Sequence, residues 1–186
     1  AWLMASIVTS SGMVALVQAA TTLPVMLLSI PSGALADIFE RRRLLLVAQV
    51  LMMAAALAMA GAVMTGLMGP WLLLGLTFLM GCGTALHTPS WQASVGDVVP
   101  REDIPAAVTL NGMGLNLTRS TGPAIGGLIV AAAGPAAAFA VNALSYIPMI
   151  FGLTRLPRPA QPKALPGEDF GRAILTGLRY AAMSPS

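Results

Sequence analysis

Residues 44–64 read LLLVAQVLMMAAALAMAGAVM, an apolar stretch without one ionisable side chain. At 1.5 Å per residue a helix of that length crosses about 30 Å of hydrocarbon. The stretch is part of a longer charge-poor region. Between Arg43 and Arg101 there is no Lys or Arg, and the one acid is Asp97. Ionised groups at the centre of a bilayer cost about 2.5–3.5 kcal/mol each on insertion scales, so their exclusion over such a distance indicates a lipid solvent. The whole chain agrees: 56% of residues are hydrophobic, 9% are charged and mean hydropathy is +0.80. A soluble domain is about a quarter charged, and this composition excludes a wetted globular surface.

Working outward from residue 44, further apolar runs of spanning length come into view. Residues 13–36 form one, with Pro24 and Pro31 as kinks that neighbouring helices must satisfy. Residues 71–95 form another, with Trp71 and Trp91 near its two ends, where amphipathic rings settle. Residues 106–133 and 136–153 follow, separated by the turn dipeptide Gly134-Pro135. Residues 1–8 are apolar but too short to cross, and read as the end of a span that begins upstream. After Leu153 the character changes. Pro157, Pro159, Pro162 and Pro166 mark residues 155–169 as an aqueous linker. Residues 170–186 have an amphipathic pattern, with Phe170, Ile174, Leu178 and Ala181 at helical spacing, and are expected to form a surface helix.

The basic residues set orientation. Arg41, Arg42, Arg43, Arg101, Arg155, Arg158, Lys163, Arg172 and Arg179 fall in alternate loops or in the tail, and the opposite turns have none. By the positive-inside rule the charged loops are cytoplasmic, and the expected location is the inner membrane. The net charge of +3 is therefore a topology signal and no sign of a nucleic-acid partner. Cys82 is the single cysteine, which rules out an intramolecular disulfide; it reads as a buried small thiol, and no cofactor or metal is implied. The chain opens at Ala1 with no signal peptide and stops at Ser186 without a natural finish, so a piece of a longer protein is expected.

The loop between the first two full spans reads Gly33-Ala34-Leu35-Ala36-Asp37-Ile38-Phe39-Glu40-Arg41-Arg42-Arg43-Leu44-Leu45. Gly33 permits close helix contact at the membrane edge. Asp37 can pair with the arginines or accept from the N-terminal amides of another helix. The loop resembles the major facilitator signature G-x-L-A-D-R-x-G-R-[RK]-x-x-L, with Ile38 in place of the usual Arg and Glu40 in place of the usual Gly. That resemblance implies a latch between two six-helix halves, with Arg41 reaching an acid at the end of the fourth span, where Asp97 stands. The arginines also fix topology, whatever else they do. The Glu40 substitution is expected to reshape the turn.

In residues 106–133, Gly114, Thr118, Gly122 and Gly126 recur every four residues, and Pro123 and Gly127 complete the pattern. Such a small-residue stripe lets helix backbones approach in lipid. It resembles the G-x-x-x-G-x-x-x-G-P-x-x-G-G signature of the antiporter branch of the same superfamily, with Thr118 for the middle Gly. Pro89-Ser90-Trp91-Gln92-Ala93 and Phe139-x-x-Asn142-Ala143-x-Ser145-Tyr146 are similar to the bacterial secretion-effector and siderophore-exporter branch. The resemblance implies an all-α, polytopic fold: the six-transmembrane-helix N-terminal half bundle of a major facilitator transporter, its first helix truncated. It also implies proton-coupled efflux of a small molecule by alternating access, and a C-terminal six-helix half that this chain lacks. The basic residue usual in the fourth span is absent here.

Arg119 is the single basic residue inside a span and must face a cavity or a partner, either to bind an anionic substrate group or to brace carbonyls. Asn116 stands beside it. Gln18, His87, Asn142 and Tyr146 lie on polar stripes of other spans and complete the candidate substrate or proton path; helix–helix hydrogen bonding is the plainer account of those stripes. Expected partners are membrane lipid, a small-molecule substrate, protons and the second half. Two alternatives differ in class. A half-size membrane protein could dimerise as a transporter or channel. An intramembrane protease would need a Ser–His pair on facing helices, yet His87 is the one histidine and no Gly-x-Ser-x-Gly elbow accompanies it.

Overall fold

The computed structural model describes residues 2–7, 11–38 and 40–155. The linker and surface helix expected after Arg155 fall outside the described residues, as do the side chains of Asp37 and Asp97. Every regular element among the described residues is helical: α1 (Trp2–Ile7), α2 (Ser11–Ile38), α3 (Arg41–Met64), α4 (Pro70–Val98) and α5 (Ile104–Arg155), with a 3₁₀ turn at Arg101–Asp103 leading into α5. Three stretches, Arg41–Met64, Pro70–Gly96 and Arg101–Arg155, are long and apolar enough to cross a membrane.

The helices run further into the charged segments than the hydropathy pattern alone indicates. Asp37 and Ile38 close α2, and Arg41 already opens α3. The backbone at the link is satisfied locally, because the Glu40 carbonyl accepts from Arg43 N at 2.8 Å and Leu44 N at 3.2 Å. Glu40 sits at φ −57°, ψ 112°, a conformation open to any residue, so the glycine of the signature is not needed for this turn. At the other end of α3, Gly66 (φ 71°) takes the left-handed position that ends a helix, and its N–H donates to the Val63 carbonyl at 3.2 Å. Pro70 then opens α4 at a position where no amide donor is needed.

α4 is the centre of the bundle, and two glycines put it there. A Cβ on Gly81 would stand 2.9 Å from Pro24 Cγ and 2.9 Å from the Thr21 carbonyl, so α2 and α4 touch backbone to backbone. A Cβ on Gly83 would run into Met52 Cγ and lie 3.3 Å from the Ala48 carbonyl, so α3 presses equally close. Two residues apart on a helix is about 200° of rotation, which places α2 and α3 on opposite flanks of α4. The same contact serves α2 chemically: Pro24 leaves the Ala20 carbonyl without its helical donor, and this carbonyl also faces Gly81. Close contact was expected at Gly33, yet a Cβ there would meet nothing within 4 Å. Gly33 lies near the end of α2, beyond the point where that helix hugs α4.

The bundle has two unlike ends. At one, Met4, Val17 and Leu73 form a buried cluster backed by Met13, Val14, Met68 and Leu74. Since Val17 meets Leu73 and Thr21 meets Gly81, α2 and α4 run in parallel. At the other end Arg41 of α3 bonds Ala93 of α4, Arg42 bonds Thr154 of α5, and Trp91 of α4 bonds Asn111 of α5. In a straight helix Asn111 and Thr154 would be about 65 Å apart. Their shared neighbourhood therefore requires α5 to double back, and it does so at Gly134 (φ 80°, ψ 172°). The first arm, Ile104 to Ala133, is almost wholly exposed, and the second packs on α3 through Ala143 and Leu153.

A backbone at φ 80°, ψ 172° is essentially reserved for glycine. Gly134→Ala should therefore destabilise the protein by about 1–3 kcal/mol, while Gly75→Ala, in open space on α4, should change stability by less. Thermal unfolding in detergent micelles separates the two, and equal behaviour would show that Gly134 is not a strained pivot.

Candidate functional site

The arginine triplet starts α3, and this is where its oddity lies. A helix N-terminus carries partial positive charge, so three cations there are opposed by their own helix. They are reconciled by reaching the negative ends of other helices. Arg41 Nη1 donates to the Ala93 carbonyl at 3.0 Å, in the turn of α4 that Asp97 closes. Arg42 Nη2 donates to the Thr154 carbonyl at 2.6 Å, one residue from the end of α5. Arg43 turns outward instead, its Nε 2.8 Å from Glu40 Oε2. Arg155 lays its guanidinium 4.0 Å above the Phe151 ring. Successive arginines of one helix thus hold the ends of two others. Leu35 is half-buried on α2 beside this end.

On the first arm of α5 the signature residues form an open face. A Cβ added at Gly114, Gly122, Gly126 or Gly127 would meet nothing within 4 Å. Thr118 returns its hydroxyl to the Gly114 carbonyl at 2.8 Å, Ser120 to the Asn116 carbonyl at 3.0 Å and Thr121 to the Leu117 carbonyl at 2.8 Å. Such back-bonding satisfies hydroxyls inside one helix and leaves its face apolar in effect. A shallow cavity of about 520 Å³ lies along Pro123, Gly126, Gly127, Val130 and Ala131. Arg119 is exposed on this arm and donates to no described residue. Pro123, four residues on, also leaves the Arg119 carbonyl without its helical donor. A guanidinium and a free carbonyl therefore share one turn.

The remaining candidates are distributed. Gln18 is exposed on α2, and its carbonyl accepts from Thr21 and Thr22. On α4, Thr77 and Gly81 are buried but Thr84 and Thr88 are exposed, so the polar stripe of this helix turns from the core to the open side along its length. His87 stacks on Trp91, ring centroids 6.1 Å apart and planes within 11°, and Trp91 Nε1 donates to Asn111 Oδ1 at 3.4 Å. Asn142 and Tyr146 are half-buried one turn apart on the second arm of α5, within hydrogen-bonding reach of each other. Arg41 and Arg42 are thereby brought together with α4 and α5, whereas Gln18, Arg119 and Tyr146 belong to separate surfaces.

Asn111, Gln49 and Ser90 carry structure without having stood among the candidate site residues. Gln49 is 5% exposed and Ser90 fully buried, and Gln49 Oε1 and Ser90 Oγ have no partner among the described residues. A lone amide inside the apolar stretch 44–64 was the available signal for Gln49. The carbonyls of Ala93 and Thr154 gave none, because every residue has one.

Long apolar helices, a helix pair in backbone-to-backbone contact and an arginine-tied end describe a polytopic membrane helical bundle. The chain belongs to the transmembrane secretion effector family of major facilitator transporters, whose family model matches residues 1–186. It is 30% identical over 146 residues to the Staphyloferrin A transporter of Staphylococcus aureus (strain NCTC 8325 / PS 47), covering 74% of this chain and 36% of that protein. It is 28% identical over 167 residues to the uncharacterized MFS-type transporter YfiS of Bacillus subtilis (strain 168), covering 88% of this chain and 39% of that protein. The chain thus spans under two fifths of the length of either relative.

The Arg42–Thr154 bond joins two helices more than a hundred residues apart, whereas the Arg43–Glu40 pair lies within one turn and contributes about 0.3–0.5 kcal/mol. Arg42→Gln should accordingly lower the apparent Tm of the purified protein clearly more than Arg43→Gln. Arg42→Lys should recover only part of the loss, since an ammonium lacks the planar fork. Equal shifts for the two glutamine variants would remove Arg42 from its place as a clamp.

Proposed function

We propose that the chain is the N-terminal six-span half of a twelve-span exporter that moves a small molecule outward in exchange for protons. Residues 1–8 end the first span in this reading, 13–36, 44–64, 71–95, 106–133 and 136–153 are the other five, and 155–186 lead into the second half. The observation that carries it is the exposed first arm of α5. Arg119, Asn116, Thr118 and Ser120 all lie open there, and a guanidinium facing lipid is too costly to be idle. A second half-bundle across this arm gives those groups a polar cleft and covers the small-residue stripe. The charged end, with Arg41, Arg42, Asp37 and Asp97, faces the cytoplasm and latches the halves when the cleft opens outward.

Rocking of the halves about the cleft then exposes Arg119 alternately to the two sides. Its fixed positive charge suits an anionic group on the cargo, such as the carboxylates of a siderophore. The Staphyloferrin A transporter is one relative, and staphyloferrin A is the first cargo to try. A second reading, a homodimer of half-size chains closing the same face, is supported by the same exposed arm.

Everted membrane vesicles holding the full-length protein provide the test. With an acid-inside gradient reported by a pH-sensitive dye, added staphyloferrin A should release protons and restore fluorescence. Arg119→Gln should abolish the response to this anion, and Asp37→Asn should slow it at least tenfold while membrane abundance stays unchanged. A response at the native rate in Asp37→Asn would remove the latch, and one unaffected by Arg119→Gln would remove the anion contact.

A further inference from the structure

We propose that His87 is the proton-operated switch of this bundle, and that the Trp91–Asn111 hydrogen bond is the joint it moves. His87 sits on α4 one turn before Trp91, and its Nε2 is enclosed with no hydrogen-bond partner among the described residues. Its ring lies nearly parallel to the Trp91 indole. Trp91 in turn holds Asn111, the one hydrogen bond among the described residues that links α4 to α5. Proton state, stacking geometry and helix contact are therefore coupled through two side chains.

The chemistry fixes the direction of the coupling. A neutral imidazole carries one N–H and one lone pair, so an enclosed, unpartnered Nε2 is tolerable as a lone pair in apolar surroundings. Binding a proton there yields an imidazolium with two N–H donors, and the Nε2 donor would be buried without an acceptor. Such a charged, unpaired donor is heavily penalised. The arrangement described thus belongs to the deprotonated imidazole, and proton uptake demands that the pocket open. Neighbouring charge does not relieve this. Up to Asp37, α2 carries no ionisable side chain, and α3 carries none past its first turn, where Arg41 reaches Ala93, beyond His87 toward the charged end. On α4 itself the other ionisable residues are Cys82 and Asp97; on α5 they are Arg119, Tyr146 and Arg155, and on the preceding turn Arg101, Glu102 and Asp103. Arg119 stands about 12 Å along the helix from Asn111. Among the described residues no acid pairs with His87.

When the proton binds, the ring must turn toward an acceptor or water, and the imidazolium, already nearly parallel to the indole, is attracted to its face. The turn therefore draws Trp91 with the stacked ring and away from Asn111. The first arm of α5, held to α4 by little else, is then free to shift. One proton taken up on one side and given back on the other makes His87 the coupling site of the exchange proposed above, and its transport role rests on that reading. The switch itself does not, because it is a property of the bundle.

The full-length protein in lipid nanodiscs, titrated between pH 8.5 and 4.5 as about two units either side of the ordinary imidazole value of about 6.5, is the test, with protons as the probe. In a background carrying Trp2→Phe and Trp71→Phe, the fluorescence difference between His87 and His87→Gln proteins isolates Trp91. A single-proton quench that His87→Gln removes is expected. Spin labels at Gln92 and Thr109, on a Cys82→Ser background, should report a pH-dependent change in the α4–α5 distance that is likewise lost in His87→Gln. Asn111→Ala keeps His87 and breaks the joint, so it should retain the quench but lose the distance change. A pH response identical with and without His87 overturns the proposal, as does a distance change that survives Asn111→Ala. If both responses appear but vesicles show no proton exchange, the switch stands and the exporter reading falls. If exchange is seen and runs unaltered in His87→Gln, the switch is overturned as the coupling site.

Discussion

The backbone contact of α4 with α2 and α3 is the constraint from which the rest follows. In lipid, apolar side chains gain nothing by leaving hydrocarbon for one another, so helices associate where their shapes allow close approach. Gly81 and Gly83 allow it on opposite flanks of one helix. Their placement makes α4 the shared wall of the bundle and sends its outer half, with His87, Thr88 and Trp91, toward α5. A side chain at either glycine would wedge two helices apart at once. The Ala20 carbonyl that Pro24 leaves without its helical donor lies in the same contact, so the proline turn of α2 is where that helix comes closest to α4.

Where α4 supplies the wall, the arginines supply its hem. Cations at the start of α3 are electrostatically misplaced on their own helix and well placed against the C-terminal carbonyls of α4 and α5. That arrangement cannot be satisfied by α3 alone, so it reports on the relative position of three helices. It also accounts for the arginines of the loop, while Glu40 takes an ordinary backbone conformation and its carbonyl accepts from Arg43 N and Leu44 N.

Much of this was legible along the chain. The charge-free run 44–64 lies wholly within α3, and Gly134-Pro135 announced the break in α5, because lack of charge and a turn dipeptide are local properties. The loop signature implied that Arg41 reaches the acid Asp97, whose side chain lies outside the described residues; the bond seen runs from Arg41 to the Ala93 carbonyl, one turn earlier. What was not legible depended on register between helices. Gly33 and Gly81 are both small residues on apolar helices, and only packing tells that the second is crushed against Pro24 and the first is free. The Arg42–Thr154 bond joins positions more than a hundred residues apart through a backbone carbonyl, a group with no sequence signal. The polar stripe of α4 was expected to point inward throughout, but Thr84 and Thr88 are exposed while Ala85 and Ser90 beside them stay buried, so only the other face of that stretch remains in the core.

The reversal at Gly134 has a consequence for the two arms it joins. With a single non-helical residue between them, α5 has no slack tether. A polar loop of ordinary length lets two helices settle one after the other; here the position of one arm fixes that of its partner, and the two behave as one helical hairpin. The leading arm of that hairpin carries Arg119, and the trailing arm, which packs on α3 through Ala143 and Leu153, anchors both.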